Sequence, residues 1–225
     1  MIDFKESQFE REIILWGVRW YVAYPISYRQ LEEMMGERGV AVDHSTLNRW
    51  VIKYAPEIEK QFRRHQRPVG RSWRLDETYV KIKGKWAYLY RAVDTEGHTI
   101  DFLLTPNRDR DAAEAFLHKA IRRQGLPEKI TIDKSGSNTA AIKRYNTTHE
   151  TAIVIRHSKY LNNIVEQDHR AVKRLTYPML GFKSFWAARC TIAGIEVMHA
   201  IRKGQLKTVG TVSQTPAAQF YALAA

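Results

Sequence analysis

RSWRLDETYVKIKGKWAYLYRAVDTEGHTIDFLLT, residues 71–105, decides how the chain is read. From Trp73 onward the side chains alternate. Trp73, Leu75, Glu77 and Tyr79 fall on one side, and Arg74, Asp76, Thr78 and Val80 on the other. A period of two marks a strand and predicts one over residues 73–82. Lys83-Gly84-Lys85 turns the chain, and WAYLYRAVD, residues 86–94, predicts a second strand rich in aromatic rings. Thr95-Glu96-Gly97 turns it again, and HTIDFLLT, residues 98–105, predicts a third. Three strands joined by tight turns form an antiparallel meander.

Downstream the period changes. Ala112, Ala113, Phe116, Leu117, Ala120 and Ile121 make the broad apolar face of a helix, ended by Gly125 and Pro127. EKITID, residues 128–133, predicts a short strand reaching Asp133, and Ser135, Gly136 and Ser137 break the chain. NTAAIKRY predicts a helix and TAIVIRH, residues 151–157, a fifth strand. From about residue 162 the pattern is mostly helical, with interruptions near Pro178 and Gly181. The order predicts an α/β fold, a mixed five-stranded sheet with flanking helices. It is also the order of a ribonuclease-H-like fold, in which three antiparallel strands lead into two parallel ones.

Upstream the signals are all helical. Phe9, Ile13, Val18, Tyr21 and Val22 recur at helical spacing over residues 8–24. Ser27 and Gln30 offer a capping box for a second helix with Leu31, Met34 and Met35 on its apolar face. Asp43 or Ser45 caps a third, whose inner stripe is Leu47, Trp50, Val51 and Tyr54 and which is expected to weaken at Pro56. Helix, glycine-containing turn and helix make a helix-turn-helix pattern. In such a reader the second helix presents its N-terminal polar residues to the major groove. Those are His44, Ser45, Thr46, Asn48 and Arg49.

The expected domains are therefore a helix-turn-helix DNA-binding domain over residues 1–60, a basic linker over 61–72, a ribonuclease-H-like catalytic domain over 73–203 and a tail over 204–225. The linker reading rests on the seven basic side chains from Lys60 to Arg74, with no acid among them. The tail fits either a loose segment or a short docking helix.

Composition favours a polyanionic partner. The 225 residues carry 36 Lys+Arg against 24 Asp+Glu, a net charge of +12, which draws in and neutralises phosphates. The single cysteine, Cys190, excludes an internal disulfide and a cysteine-rich zinc site. It is expected to be a buried structural thiol. No stretch approaches the roughly 20 apolar residues of a membrane span, and the N-terminus lacks a signal-peptide run. A cytoplasmic location and no membrane partner are expected.

Three acids stand out by position. Asp76 interrupts the first strand, Asp133 closes the fourth, and Glu166 lies in the helix that follows the fifth. In a ribonuclease-H-like sheet the first and fourth strands are adjacent, so Asp76 and Asp133 can converge. Clustered carboxylates repel unless a cation compensates. A hard divalent ion with oxygen ligands suits them, and two such ions can clamp the oxygens of a phosphodiester displacement. Asp94, Asp101, Asp109 and Asp111 are rivals, with Asp94 fitting a turn and Asp109 or Asp111 a helix cap.

In YLNNIVEQDHRAVKRL, residues 160–175, Asn162, Glu166, Arg170 and Lys173 share a helical face. Asp168 points about 200° away, on the helical repeat, and reads as solvated or structural. Arg170 and Lys173 can contact a DNA backbone, or Arg170 can simply pair with Glu166.

The chain resembles bacterial insertion-sequence transposases of the IS6 family. The marks are EREIILWGVRWY, SYRQLEEMMGERG, DHSTLNRWV, WRLDETYVKIKGKWAYLYRAVD, TIDKSG, KYLNNIVEQDHRAVKR, LGFKSFWAA and IRKGQ, in order along residues 9–225. The resemblance implies a DDE transposase with Asp76, Asp133 and Glu166 as catalytic and metal-holding residues. It implies Mg²⁺, two ions with Mn²⁺ as a substitute, and Lys173 on transposon-end DNA. It also implies that the helix at His44–Arg49 recognises terminal inverted repeats, that cleavage is followed by 3′-OH strand transfer into target DNA, and that a bacterial protein acts at the nucleoid. Joining two ends implies a homodimer or higher oligomer. The spacing from Asp133 to Glu166 is slightly shorter than the family's usual one. The alternative is a catalytically inert DNA-binding repressor or architectural protein of the same fold.

Overall fold

The expected antiparallel meander forms. β1 (Ser72–Ile82) pairs antiparallel with β2 (Lys85–Val93), and β2 with β3 (Thr99–Thr105). β4 (Lys129–Ile132) lies parallel to β1 on its other side, and β5 (Val154–His157) lies parallel to β4. The sheet order is β3-β2-β1-β4-β5. This is the three-antiparallel, two-parallel arrangement of a ribonuclease-H-like fold. The computed structural model describes residues 2–4, 8–133, 136–207 and 214–224.

The helices are α1 (Arg11–Ala23), α2 (Tyr28–Gly36), α3 (His44–His65), α4 (Arg110–Gln124), α5 (Gly136–His149), α6 (Lys159–Thr176), α7 (Phe185–Arg202) and α8 (Pro216–Ala222). A 3₁₀ turn, Tyr177–Met179, falls at the expected interruption, and Leu180 closes it in a left-handed conformation. The chain makes two compact units. One is Met1–Arg67 with Ala171–Ala225, and the other is Pro68–Arg170.

In the sheet unit, alternation sends Trp73, Leu75, Tyr90, Ile130 and Ile132 into a core completed by Phe116 and Leu117 of α4 and Ile142 of α5. Burying each such side chain fully contributes about 1.5–3 kcal/mol. Asp109 caps α4, its Oδ1 accepting from Ala112 N at 2.8 Å.

In the helical unit, Ser27 and Gln30 complete the capping box of α2 reciprocally, at 3.2 and 2.8 Å. Gly39 makes the turn at φ +76°, a conformation glycine adopts without strain. Asp43, not Ser45, caps α3, with its carboxylate accepting from the N–H groups of Ser45 and Thr46.

Pro56 does not end α3, which runs on to His65. The missing N–H costs one hydrogen bond, but buried Ile58 and Phe62 continue the apolar stripe past it. The stretch expected as a linker from residue 61 therefore opens inside a helix. Beyond that helix, Lys207 N donates to His65 O and Arg67 N to Gln205 O, both at 2.8 Å.

Residues 171–203, expected within the catalytic domain, fall in the helical unit. There α7 packs on α1 and α3, and Cys190 is buried and free. Of the tail, α8 docks, with Phe220 buried and Arg19 Nε donating to Tyr221 Oη at 2.9 Å. Residues 208–213 lie outside the described residues. Among the described residues no helix is long and apolar enough to cross a membrane.

Candidate active site

The β1–β4 register, Ser72 to Lys129 through Arg74 to Thr131, carries Asp76 to Asp133 when continued. Asp76 lies within β1 and Asp133 just past the end of β4, both half-buried. Asp76 sits on the sheet face away from Trp73 and Leu75, and its antiparallel partner across β2 is Arg91. Directly opposed residues share a face, so an arginine and an aspartate stand side by side beneath α6.

Consecutive residues of α6 engage that pair. Asp168 Oδ2 lies 2.8 Å from Arg91 Nη2, with the arginine wholly buried. His169 Nε2 lies 3.3 Å from Asp76 Oδ2. About two turns earlier, buried Asn162 donates from Nδ2 to Leu75 O at 3.3 Å. A buried charge is tolerated only when paired. The Arg91–Asp168 pair therefore ties α6 to β2 and fixes its rotation.

Asp168 is thus structural and not solvated. Helical phase rightly separated it from Glu166, but the buried arginine it meets lies on another element. The sequence did hold a signal. Arg91 interrupts an otherwise apolar strand, and His169 lies three residues after Glu166.

Glu166 is half-buried and makes no hydrogen bond or ion pair among the described residues. Arg170 and Lys173 are exposed, and no Glu166–Arg170 pair forms among the described residues. Among the described residues no group of three His, Cys, Asp or Glu side chains is close enough to form a ready metal site. Continued by two residues, the β1–β4 register sets Asp76 opposite Asp133, whereas Glu166 is not drawn into a closed cluster with them among the described residues. The donor set itself fits a hard divalent cation, being carboxylate oxygens throughout. Asn162 Oδ1, on the same helical face as Glu166, is buried without a hydrogen-bond partner among the described residues.

The rival acids have other work. Asp94 accepts from the N–H groups of Gly70, Glu96 and His98 at 2.9–3.0 Å. Burial opposes its charge, yet those donors hold its carboxyl below the ordinary range. Asp101 is buried against Lys119 and Arg123, and exposed Asp111 pairs with Arg110. Glu77 takes Arg108 and Asn138 Nδ2. Burial works against the Arg108 charge, but Glu77 raises its pKa above the ordinary value, and the charges of Tyr79 and Asp133 act in the same direction.

The expected reading residues open α3. His44, Ser45 and Arg49 are exposed, and Thr46 is half-buried. His44 Nδ1 lies 2.9 Å from Glu32 Oε2. Thr46 Oγ1 donates to Asp43 Oδ2 at 2.6 Å and accepts from Arg49 Nη2 at 2.7 Å. Asn48 is half-buried beside Tyr28, whose pKa burial pushes up to about 12 while Asn48 pulls it back. Asn48 is therefore turned partly inward. Arg49 also lines a cleft of about 430 Å³ with Phe9, Trp50 and Lys53.

The DDE domain family matches residues 70–205, a span covering all five strands and the three acids. With the strand order, this defines the class: a ribonuclease-H-like DDE enzyme, a polynucleotidyl transferase that uses a divalent metal cofactor. The transposase for insertion sequence-like element IS431mec of Staphylococcus aureus is 39% identical over 218 residues, 95% of this chain and 94% of that protein. The transposase for insertion sequence element IS257 in transposon Tn4003, also from Staphylococcus aureus, matches with the same identity and coverage. The chain belongs to the IS6 family of insertion-sequence transposases and is a DNA transposase. Among solved structures, the catalytic core domain of BIV integrase covers 68% of this chain and 95% of its own, at 17% identity and a TM-score of 0.46.

Proposed function

We propose that this transposase binds the terminal inverted repeats of its insertion sequence, cleaves at their ends and joins the freed 3′-OH to target DNA. Asp76, Asp133 and Glu166 are the catalytic carboxylates and hold two Mg²⁺ ions, with Mn²⁺ as a substitute. When bound, the metal lowers the pKa of the attacking water or hydroxyl and stabilises charge on the phosphate. His169 steadies the Asp76 carboxylate. Arg170 and Lys173, both exposed, take DNA phosphates. His44, Ser45, Thr46, Asn48 and Arg49 read the repeats at the start of α3, with Thr46 and Asn48 half-buried. A homodimer or higher oligomer brings two ends together.

The observation that supports the reading is the parallel β1–β4 register, which runs from Ser72 and Lys129 to Arg74 and Thr131 and, continued by two residues, would set Asp76 opposite Asp133. The test is Asp76→Asn on end-containing duplex with Mg²⁺. End binding should persist while cleavage and strand transfer disappear. Full activity of the variant overturns the assignment. Wild-type protein that binds ends but yields no metal-dependent products is instead an inert repressor.

A further inference from the structure

The tip of the β1–β2 hairpin carries side chains that this reaction leaves unused. Register sets them on one face, Tyr79 across from Tyr88 and Lys81 across from Trp86. The rings touch, Tyr79 and Trp86 at 6.0 Å between centroids and Tyr79 and Tyr88 at 5.4 Å. Yet Tyr79 is 48% exposed and Trp86 60%. The opposite face of the hairpin already buries Val80 and Ile82, so anchoring the hairpin does not require large rings on the open side.

The same tip is cationic. Lys81, Lys83 and Lys85 are exposed, with no ion-pair partner among the described residues. Residues 79–90 contain no acid. Lys83 and Gly84 both have positive φ, 50° and 78°, in the two-residue turn, the geometry that matches hairpin twist. Tyr79 lies three residues past Asp76 along β1, roughly 10 Å at the rise of a strand, and on the other face of the sheet.

We propose that this hairpin tip binds unpaired DNA, with Tyr79, Trp86 and Tyr88 stacking on bases and the three lysines taking the phosphates. Aromatic faces beside a cationic track are the means by which proteins hold single strands without reading sequence. Duplex DNA offers phosphates but hides its base faces. A protein partner fits less well, because lysine is depleted at protein interfaces. The proposal rests on the transposase reading only for the source of the unpaired strand, which is the DNA opened beside a cut.

The test uses the full chain in metal-free buffer with a fluorescent oligo-dT and a random duplex of equal length, titrated by anisotropy across salt. Trp86→Ala and Tyr79→Ala should each weaken oligo-dT binding on the order of tenfold, with duplex binding held. Trp86→Phe should keep most of the affinity. Lys83→Ala, at the exposed turn, should lower the salt slope by about one phosphate contact. Unchanged oligo-dT affinity in Trp86→Ala overturns the proposal, as does an equal loss on duplex. So does a change of mass in sedimentation with oligo-dT binding intact, which would make the tip a contact between copies. If Trp86→Ala fails to fold, an unaltered salt slope in Lys83→Ala is the overturning result. Asp76→Asn should still bind oligo-dT, so failure of the catalytic assignment and failure of the hairpin site are read separately.

Discussion

His169 Nε2 stands 3.3 Å from Asp76 Oδ2, so the helix that carries Glu166 also touches the carboxylate of β1. His169 is buried, and neither its Nδ1 nor its Nε2 has a hydrogen-bond partner among the described residues, so the approach to Asp76 is a close contact that tightens into a hydrogen bond only in the assembled site. A hydrogen bond to a charged group contributes about 1.5–3 kcal/mol. His169→Ala should slow cleavage by roughly 10- to 150-fold on that scale, with little change in the DNA concentration for half-maximal rate. His169→Gln, which retains a donor, should recover part of the rate. Wild-type rates in His169→Ala would remove the contact from the mechanism.

The neighbouring contact bears on folding. Arg91 is wholly buried and meets Asp168 at 2.8 Å. Removing one partner of a buried pair leaves an uncompensated charge and costs about 3–5 kcal/mol. Asp168→Ala should lower stability by that order in urea unfolding, whereas Asp168→Leu combined with Arg91→Met should lose far less. If the single and double variants unfold alike, the pair is not what fixes α6.

These two contacts mark where sequence reading stops. Alternation over residues 73–105 is enough to give the meander, because each strand buries one face and the period reports it. Phase within α6 is enough to set Glu166 apart from Asp168. Neither reveals which strand residue meets Asp168 or His169, since those contacts depend on how the helix lies across the sheet. The weakening expected at Pro56 does not stop the helix, for a related reason. Burial of Ile58 and Phe62 outweighs one lost backbone hydrogen bond, and local propensity does not contain that burial. The family match, residues 70–205, ends close to the boundary expected at residue 203, but element order does not tell that α7 packs on α1 and α3.

Asp94 sets an acid limit on stability. Its three backbone donors hold the folded carboxyl below the ordinary range against the opposing effect of burial. A depressed folded pKa contributes stability that is fully present above the unfolded value, about 3.9, and is lost as pH falls through the folded value. Asp94→Asn should be less stable than wild type at neutral pH, and the gap should close as pH drops below about 4. Urea midpoints measured down through the carboxylate range test this. A gap that stays constant with pH would mean that the donors stabilise the turn without regard to charge.

Gly194 tests the packing of α7. A Cβ there would meet Val22 Cγ1 at 2.7 Å and Ala55 Cβ at 3.1 Å. Ordinarily Gly→Ala inside a helix gains about 1 kcal/mol. Here overpacking, which costs about 1–3 kcal/mol, must be set against that gain. Val22 and Ala55 are themselves buried, so neither can swing into solvent, and the overpacking term wins. Gly194→Ala should therefore lower the midpoint of thermal unfolding. Adding Val22→Ala removes the nearest clashing atom and should return part of the loss despite deleting buried methyl groups. A raised midpoint in Gly194→Ala alone would show that α7 can shift to admit the methyl group and that its approach to α1 and α3 is looser than these distances describe.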